Sequence, residues 1–229
     1  MNKILVTGGA GYIGSHVCHL LIDQGHEVTC IDSLITGNKK LLPKKVKLEV
    51  FDIAEKEKVT KLIKDNNFDL VMHFAGLVKV EESFKSPEKY KLYNVDKAKS
   101  FFNYCLEANL DKIIFSSTAG VYGKSKKSKV SENDKLEPSN PYAETKLEME
   151  KYLGKLVNER KAKCIILRYF NVAGSDNNNR SGMITKDSNN LIKAVCEFAL
   201  KKRKDFTING NDYETKDGTA IRDFIHVSD

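Results

Sequence analysis

A tyrosine and a lysine four positions apart could carry out acid–base chemistry in this sequence. Tyr142 and Lys146 lie in a segment with helical periodicity, so the phenol and the ammonium group would share one helix face, about 6 Å apart along the axis. A positive charge beside a phenol favours its ionisation, and the phenolate can take a proton from an alcohol. Thr118 follows a predicted strand whose end lies at the same sheet edge as the start of the Tyr142 helix, and its hydroxyl could hydrogen-bond the same alcohol or could satisfy a local turn.

Two other pairs have the same spacing, Tyr93 with Lys97 and Tyr122 with Lys126. Lys126 belongs to a loop of Gly, Ser and Lys, where no helix would hold the two side chains together. Tyr93 and Lys97 belong to a long predicted helix whose lysines are typical of a solvated face. Tyr142 follows a Pro-Ser-Asn-Pro segment that favours the start of a helix. The pair that begins with Tyr142 is therefore predicted to be the reactive one.

A glycine-rich segment near the amino terminus is typical of a dinucleotide-binding loop. Gly8, Gly11 and Gly14 are spaced as G-x-x-G-x-x-G between a predicted strand and a predicted helix. Such glycines allow close approach to a pyrophosphate, and the start of the helix offers N–H donors. Asp32 follows 18 residues after Gly14, where its carboxylate can accept hydrogen bonds from ribose hydroxyls and would repel a 2′-phosphate. These features predict NAD as the cofactor in preference to NADP.

The acidity that Tyr142 would need corresponds to a definite free energy. Lowering the pKa of a tyrosine from about 10 to about 7 requires roughly 4 kcal/mol of preferential stabilisation of the phenolate. A lysine cation about 5 Å away supplies about 3 kcal/mol at an effective dielectric constant near 20. We expect Lys146 and the positive ring of oxidised nicotinamide to acidify Tyr142 together, as a reversible alcohol oxidation requires.

Two further side chains have two interpretations each. Asp52, at the end of the predicted third strand, could accept a hydrogen bond from an adenine amino group or could cap the next helix. His73, at the end of the predicted fourth strand, is expected to be a buried structural histidine instead of a catalyst. The segment Phe74-Ala75-Gly76 after it should lie beside the cofactor, at the carboxyl edge of the sheet.

The elements that must position these residues alternate between strand and helix as far as about residue 200. This alternation predicts an α/β fold with a doubly wound parallel sheet of six strands, a Rossmann fold. The predicted strands are 3–7, 27–32, 47–51, 70–74, 112–116 and 164–169, with strand-like segments at 207–208 and 222–227. The predicted helices are 13–24, 55–66, 87–108, 142–160 and 191–202.

A polar tract over residues 175–190 interrupts the alternation. We predict an NAD-binding Rossmann domain over residues 1–174 and the beginning of a smaller substrate-binding domain over residues 175–229. Ser228 and Asp229 would suit the start of a helix that the sequence does not contain. We therefore expect the chain to continue beyond Asp229, and we expect the incomplete chain to be less active than a complete one.

Composition narrows the possible partners. With 41% hydrophobic and 30% charged residues, the 229-residue chain does not read as collagen-like, low-complexity or disordered. No apolar run approaches the roughly 20 residues of a membrane helix, and no signal peptide is evident, which favours the cytoplasm. Of the 38 basic residues only five are arginines, which argues against a nucleic-acid partner. The five scattered cysteines are expected to be reduced and mostly buried, without a metal site.

With these residues assembled, the sequence closely resembles the extended short-chain dehydrogenase/reductase family, and within it the UDP-glucose 4-epimerases, along essentially its whole length. The glycine loop and the Tyr142/Lys146 pair are shared by the wider family. The more specific blocks are His73-Phe74-Ala75-Gly76, Tyr93-Asn94-Val95, Phe115-Ser116-Ser117-Thr118, Val121-Tyr122-Gly123, Arg168-Tyr169-Phe170-Asn171-Val172-Ala173-Gly174, Gly210-Asn211-Asp212-Tyr213, Asp217-Gly218-Thr219 and Arg222-Asp223-Phe224-Ile225-His226-Val227.

The resemblance implies an isomerase that acts on UDP-glucose and UDP-galactose through a transient 4-keto sugar. Tightly held NAD would take hydride from C4 while Tyr142 removes the 4-hydroxyl proton with the help of Thr118. Lys146 would position the nicotinamide ribose and polarise the phenol. A homodimer formed through the predicted helices 87–108 and 142–160 is also implied.

The resemblance also assigns binding positions. Besides the glycines, Tyr142 and Lys146, the positions that match cofactor contacts are Tyr12, Ile13, Asp32, Ser33, Asp52, Ile53, Phe74, Ala75, Asn94 and Phe170. Besides Thr118 and Tyr142, the positions that match the lining of the UDP-sugar site are Asn171, Asn190, Leu191 and Arg222. Arg222 also suits a diphosphate, because a guanidinium binds phosphate oxygens in pairs.

Other interpretations remain open. Nucleotide-sugar 4,6-dehydratases and UDP-glucuronate decarboxylases share the fold, but generally carry an acid directly before the Val-Tyr-Gly triplet, where this chain has Gly120. A non-catalytic NAD-binding module is a third possibility, against which the intact Thr118, Tyr142 and Lys146 argue. Two positions depart from the family pattern: Lys79 follows Val78 where relatives often place the lysine first, and Asn209 replaces a frequent aromatic residue.

Overall fold

The computed structural model of the protein describes residues 1–125, 127–185, 190–208 and 210–229. The chain divides into two compact units, Met1–Tyr169 and Phe170–Asp229. The domain boundary expected from the sequence, at residue 174, lies five residues further along the chain. Lys126 and Asn209, which took part in the sequence predictions, lie outside the described residues.

The first unit is built on a parallel sheet with the strand order β3-β2-β1-β4-β5-β6, which confirms the predicted six-stranded doubly wound sheet. The apolar, β-branched strands suit a sheet that is covered on both faces. The order changes direction between β1 and β4, and ligands of such folds bind at the carboxyl ends of the strands at this point. The strands are β1 (Lys3–Thr7), β2 (Glu27–Ile31), β3 (Lys47–Glu49), β4 (Leu70–His73), β5 (Lys112–Ser116) and β6 (Lys163–Leu167).

Helices and two hydrophobic clusters cover this sheet. The larger cluster includes Phe101, Phe102 and Phe115, all of which are fully or almost fully buried. The smaller one includes Val6, Cys18 and Cys30 near the beginning of the chain. The helices are α1 (Tyr12–Asp23), α2 (Lys56–Asn66), α3 (Val80–Lys85), α4 (Pro87–Lys91), α5 (Lys97–Glu107) and α6 (Pro141–Asn158), with short 3₁₀ helices at Lys39–Leu41 and Ala119–Tyr122.

The prediction of one continuous α-helix over residues 87–108 was wrong. A π-helical turn, Leu92–Asp96, separates α4 from α5. This turn places the buried Asn94 amide against the backbone of Leu77. A π turn inserts one extra residue into a helix and often marks a functional site. Helix α3 was also missed, because six residues are too few to show a clear helical period.

The second unit contains a parallel strand pair and one helix. Strands β7 (Asn171–Ala173) and β8 (Phe224–His226) pair in parallel, and β8 lies within the strand-like segment predicted at 222–227. Helix α7 (Leu191–Ala199) ends three residues earlier than predicted. The strand predicted at 207–208 is absent from the described residues, and the side chain of Ile208 is 66% exposed, so no sheet face buries it.

All five cysteines are free thiols, and Cys18, Cys30 and Cys105 are buried, in agreement with the prediction. Among the described residues, no group of three or more His, Cys, Asp or Glu side chains is arranged to hold a metal ion. None of the described helices combines the length and the apolar character needed to cross a membrane.

Candidate active site

The loop between β1 and α1 packs closely against the end of β4. Gly8 has a φ of +70°, and a Cβ atom at this position would lie 2.5 Å from the backbone nitrogen of Ala75. A Cβ atom at Gly14 would lie 2.3 Å from the carbonyl oxygen of Gly8. Both positions therefore require glycine, since any side chain would push apart the segments that form the carboxyl edge of the sheet. The ends of β1 and β4 meet here, at the change of strand direction.

The start of α1 is suited to an anion. Gly11 is the N-cap residue, and within the described ranges no side chain caps this end of the helix. The first turn of α1 carries no acidic residue. The N–H groups and the positive end of the helix dipole therefore favour a phosphate group. Tyr12 and Ile13, both half-buried, begin the helix at this point.

Asp32 follows β2 directly and has a fixed orientation. Its two carboxylate oxygens accept hydrogen bonds from the backbone nitrogens of Ala10, at 3.0 Å, and Leu34, at 2.8 Å. Burial raises the pKa of Asp32, and these two N–H donors oppose that rise. The neighbouring Ser33 is exposed. The carboxylate is thus anchored beside the glycine loop, where the sequence predicts a ribose.

Asp52 forms an ion pair that the sequence did not predict. The Nζ atom of Lys97 lies 2.5 Å from Oδ2 of Asp52 and 3.9 Å from the centroid of the Tyr93 ring. The other Asp52 oxygen accepts from the backbone nitrogen of Ala54 at 2.9 Å, in a turn that precedes α2, whose N-cap residue is Glu55. The expectation that Lys97 belongs to a solvated face was wrong, because its side chain is only 19% exposed. The buried Ile53 lies next to this pair in sequence.

Asn94 holds the loop that follows β4. Its Oδ1 accepts from the backbone nitrogen of Leu77 at 2.7 Å, while its Nδ2 donates to the Leu77 carbonyl at 3.0 Å and to Oγ1 of Thr145 at 3.2 Å. The Asn94 side chain is therefore fully engaged with the protein. Phe74 and Ala75, both half-buried, form the segment that this clamp holds at the edge of the sheet.

His73 is buried among aromatic rings, as predicted for a structural histidine. Its ring centroid lies between 5.0 and 5.9 Å from those of Phe101, Phe102 and Phe115. Its Nδ1 atom is 2.8 Å from the hydroxyl of Thr7. Burial, followed by the nearby charge of Lys146, lowers the pKa of His73 to about 3. The imidazole is therefore neutral at physiological pH.

Tyr142 lies in the first turn of α6. Asn140 caps this helix by accepting a hydrogen bond from the backbone nitrogen of Ala143 at 2.9 Å, and Pro141 occupies the first helical position. The backbone nitrogen of Tyr142 donates to the hydroxyl of Ser83 at 3.2 Å. The local sequence thus explains where the helix begins, whereas the contact with Ser83 on the unpredicted α3 could be found only in the structure.

Lys146 lies one turn further along α6 and reaches the end of β5. Its Nζ atom donates to the carbonyl oxygen of Ser116 at 2.8 Å and lies 6.0 Å from the centroid of the Tyr142 ring. The same atom would be 3.9 Å from a Cβ atom placed at Gly76. The structure therefore brings the predicted Tyr/Lys pair together with the ends of β4 and β5.

Burial dominates the electrostatics of the Tyr142/Lys146 pair. Burial raises the pKa of Tyr142 above its ordinary value, the nearby Tyr169 and Tyr90 raise it further, and a hydrogen bond with the Thr118 side chain opposes the rise. Burial also lowers the pKa of Lys146 to about 8. The expectation that Lys146 and oxidised nicotinamide together acidify the phenol stays a prediction, because this direction of the Tyr142 pKa belongs to the polypeptide without the cofactor.

Thr118 starts the 3₁₀ helix at Ala119–Tyr122, and its Oγ1 accepts from the backbone nitrogen of Gly120 at 3.1 Å. Tyr169, which the sequence analysis did not select as a site residue, forms a hydrogen bond through its hydroxyl with Ser116. Its place in the Arg168-Tyr169-Phe170 block was the available signal. Thr118, Tyr142 and Lys146 are thus assembled in the first unit.

The remaining predicted site residues belong to the second unit and are described within it. The Nδ2 atom of Asn171 donates to the Asp223 carbonyl at 2.9 Å. Asn190 caps α7 by accepting from the backbone nitrogen of Lys193 at 3.2 Å, and its Nδ2 donates to the Val172 carbonyl at 3.2 Å. Asn171 and Asn190 are therefore both anchored at the β7/β8 pair. The other three, all exposed, are Phe170, Leu191 and Arg222.

Comparisons with known proteins agree with this geometry. Residues 4–229 match the NAD dependent epimerase/dehydratase family. The chain is 43% identical to the UDP-glucose 4-epimerase of Azospirillum brasilense over 227 residues, which cover 99% of this chain and 65% of that protein. It therefore spans about two thirds of the length of that relative.

Solved structures of similar proteins have the same fold. One is a UDP-glucose 4-epimerase from Stenotrophomonas maltophila with bound NAD and formylated UDP-arabinopyranose, with a TM-score of 0.95 and 32% identity over 100% of this chain and 70% of that one. Another is a UDP-glucose 4-epimerase from Bifidobacterium longum in complex with NAD+ and UDP, with a TM-score of 0.92 and 32% identity over 99% of this chain and 70% of that one. The glycine loop, the anchored Asp32 and the Tyr142/Lys146 pair are thus features of a chain that belongs to the NAD dependent epimerase/dehydratase family.

Proposed function

We propose that this protein interconverts UDP-glucose and UDP-galactose by epimerisation at C4, with NAD as its cofactor. The observation that carries the proposal is the meeting of Tyr142, Lys146 and Thr118 at the edge of the sheet that also holds the glycine loop. A base for an alcohol and a dinucleotide site at one edge are what a reversible alcohol oxidation needs. The similarity to UDP-glucose 4-epimerases supports this choice of substrate.

The described residues fit NAD. Because Gly8 packs directly against the backbone of Ala75, the loop presents backbone atoms instead of side chains. The start of α1, which no side chain of the described residues caps, suits a pyrophosphate. Asp32 is anchored so that its charge would favour ribose hydroxyls over a 2′-phosphate. The residues that we assign to the cofactor are Gly8, Gly11, Tyr12, Ile13, Gly14, Asp32, Ser33, Asp52, Ile53, Phe74, Ala75, Asn94, Tyr142, Lys146 and Phe170.

In the proposed reaction, the hydrogen on C4 leaves as a hydride and the hydrogen of the 4-hydroxyl group leaves as a proton. Bound in its oxidised form, NAD would supply the hydride acceptor, the later hydride donor and a positive charge beside the phenol. Tyr142 takes the 4-hydroxyl proton as the C4 hydride departs and returns it when hydride comes back to the other face of the 4-keto sugar. Lys146 favours the phenolate, and Thr118 holds the phenol and the sugar hydroxyl in line.

The buried phenol explains why turnover would depend on the bound cofactor. Within the polypeptide alone, Tyr142 is held protonated by burial, so it is a weak base. A second positive charge beside Lys146 is needed before the phenolate becomes accessible. The proposed base would therefore be strongest when the hydride acceptor is present.

The residues that we assign to the UDP-sugar are Thr118, Tyr142, Asn171, Asn190, Leu191 and Arg222.

The geometry at Gly120 argues against the related dehydratases and decarboxylases. A Cβ atom at this position would lie 3.3 Å from Oγ1 of Thr118 and 3.4 Å from Cβ of Ala143. An acidic side chain there would crowd the hydroxyl that bonds to Tyr142.

Residues 1–174 would form the NAD-binding part, with the sugar-binding part beginning at residue 175.

A direct assay tests the proposal. The purified protein is incubated separately with UDP-galactose, UDP-glucose and UDP-glucuronate without added NAD, and the products are followed by proton NMR. We expect UDP-galactose and UDP-glucose to interconvert and UDP-glucuronate to remain unchanged. A 4-keto-6-deoxy product or a pentose from UDP-glucuronate would overturn the assignment in favour of the related enzymes. Bound NAD without conversion of any of these sugars would instead indicate a non-catalytic module.

We also propose that the protein is a cytoplasmic homodimer. Two large apolar side chains are exposed in the part of the chain from α4 to α6: Leu92, in the π turn between α4 and α5, is 47% exposed, and Val157, on α6, is 40% exposed. Burying such a surface against a second copy would be favourable. Five free thiols suit a reducing compartment. Sedimentation velocity would test the dimer, and Leu92→Glu should shift the protein to a monomer.

A further inference from the structure

A buried carboxylate on α6 has no part in the chemistry proposed above. Glu150 lies four residues after Lys146 and eight after Tyr142, so it continues the same helix face. It is 5% exposed. Buried charges in proteins are paired and fully hydrogen-bonded, because an isolated one is costly.

Arg168, directly after β6, supplies the opposite charge. Its Nε atom lies 3.0 Å from each Glu150 oxygen, and its second terminal nitrogen lies 2.6 Å from Oε2. The remaining terminal nitrogen donates to the Tyr122 hydroxyl at 3.1 Å and to the Glu132 carbonyl at 3.2 Å. This two-point geometry fixes both side chains in orientation as well as in distance.

The same ion pair holds both ends of the segment that contains Thr118. At one end, the Ser117 hydroxyl donates to Glu150. At the other end, Tyr122 is held by Arg168, which also lies over its ring, 5.2 Å from the centroid. Thr118 lies between them and forms the side-chain hydrogen bond that favours ionisation of Tyr142. A shift of the ion pair would therefore displace the hydrogen-bond partner of the phenol.

We propose that Glu150 and Arg168 are positioning residues that set Thr118 against Tyr142, in addition to stabilising the fold. This inference rests on the proposed function, in which Tyr142 is the base. A displacement of about 1 Å in a reacting group can cost on the order of 100-fold in rate. A buried ion pair is by itself weak evidence for stability, which leaves orientation as a role that its geometry suits.

Ser117→Ala is the sharpest test, because it removes the link between the segment and Glu150 but leaves the ion pair intact. We expect kcat to fall about tenfold while KM and the amount of bound NAD stay within twofold. We also expect the acidic limb of the kcat pH profile to move to higher pH, because a poorly placed Thr118 favours the phenolate less. A purely structural role would lower thermal stability without moving the pH profile.

Charge variants complete the test. Glu150→Gln should lower kcat by more than Ser117→Ala does. Arg168→Lys should also lower kcat, although it keeps the positive charge, since an ammonium group cannot form the two-point contact. Glu148→Gln is the matched control, because Glu148 is also a carboxylate on α6 but pairs with Lys99 of α5, at 2.6 Å, instead of with Arg168. We expect the control to leave kcat and its pH profile unchanged.

A spectroscopic readout separates this inference from the proposed function. In protein labelled with ¹³C at Cζ of tyrosine, the Tyr142 signal is identified by its loss in Tyr142→Phe. Ser117→Ala should move that signal, because the shift reports hydrogen bonding of the phenol. If no sugar is converted but the signal moves, the proposed function fails and the positioning role stands. If neither the signal nor the pH profile moves, the positioning role is overturned.

Discussion

The ammonium group of Lys146 lies 6.0 Å from the centroid of the Tyr142 ring and donates its hydrogen bond to a backbone carbonyl instead of to the phenol. Its effect on the tyrosine is therefore electrostatic and acts over a distance at which desolvation competes with it. The balance favours the neutral phenol in the polypeptide alone. A base of this kind is active only when further positive charge is brought to the site.

Tyr142→Phe should lower the rate of epimerisation by at least about 1,000-fold, because general-base catalysis supplies up to about 10⁴-fold and phenylalanine cannot take a proton. Bound NAD, measured by absorbance after release from the protein, should be retained. The matched control is Tyr93→Phe, since Tyr93 has the same spacing to a lysine but that lysine is paired with Asp52. A rate equal to that of the parent protein in Tyr142→Phe would remove the tyrosine from its assigned role.

Lys146→Met should stabilise the cofactor-free protein in a pH-dependent way. The folded pKa of about 8 lies below the ordinary value of 10.5, so folding costs about 3 kcal/mol wherever the lysine is charged in both states. That cost is complete below about pH 8 and shrinks towards about pH 10.5, because the unfolded chain binds the extra proton there. Thermal unfolding should therefore show the largest gain near neutral pH and little gain near pH 10.5.

The exposed Lys151 on the same helix provides the control for that measurement. Lys151→Met should change the unfolding temperature by a similar small amount at every pH. A stabilisation by Lys146→Met that stays constant or grows as the pH rises would contradict the burial of a charged ammonium. Activity should be lost in Lys146→Met at all pH values, since the variant has no cation beside the phenol.

Asp32→Asn should narrow the preference for NAD over NADP by about tenfold or more. The amide keeps the shape of the side chain, but it removes the negative charge that would repel a 2′-phosphate and accept from two hydroxyls. Dissociation constants for both cofactors, measured by calorimetry on cofactor-depleted protein, test this. Asp65→Asn is the control, because Asp65 is exposed and pairs with Lys61. An unchanged ratio of the two constants would count against ribose recognition by Asp32.

Asp52→Ser separates two roles of this residue. A serine hydroxyl can still accept from the backbone nitrogen of Ala54, so the turn before α2 is kept, but the charge facing Lys97 is lost. If Asp52 contacts adenine, NAD should bind about fivefold to tenfold more weakly, with only a small change in unfolding temperature. Unchanged NAD affinity would mean that Asp52 acts only in the turn before α2 and as an ion-pair partner.

Much of the fold was predictable because the signals are local. Strand β1 and the start of α1 follow from an apolar run and three glycines, and the start of α6 follows from Asn140 and Pro141. The interruption at Leu92–Asp96 was not predictable, since the side chain of Asn94 within it pairs with the backbone of Leu77, 17 residues away in the chain. Helix α3 was not predictable either, because a helix of six residues is too short to show a period and is stabilised by tertiary contacts.

The amino-acid sequence alone determined the order of strands and helices, the glycine loop, the carboxylate after β2 and the choice of Tyr142 among three candidate tyrosines, because these depend on residue type and on spacing along the chain. Only the tertiary structure decided that Lys97 pairs with Asp52, that Ser116 and Tyr169 lie beside the candidate Tyr142/Lys146 pair, and that Glu150 and Arg168 hold the Thr118 segment. It also decided the direction of the Tyr142 pKa shift. The physical reason is that burial and charge pairing depend on residues far apart in the chain, whose packing no local pattern encodes.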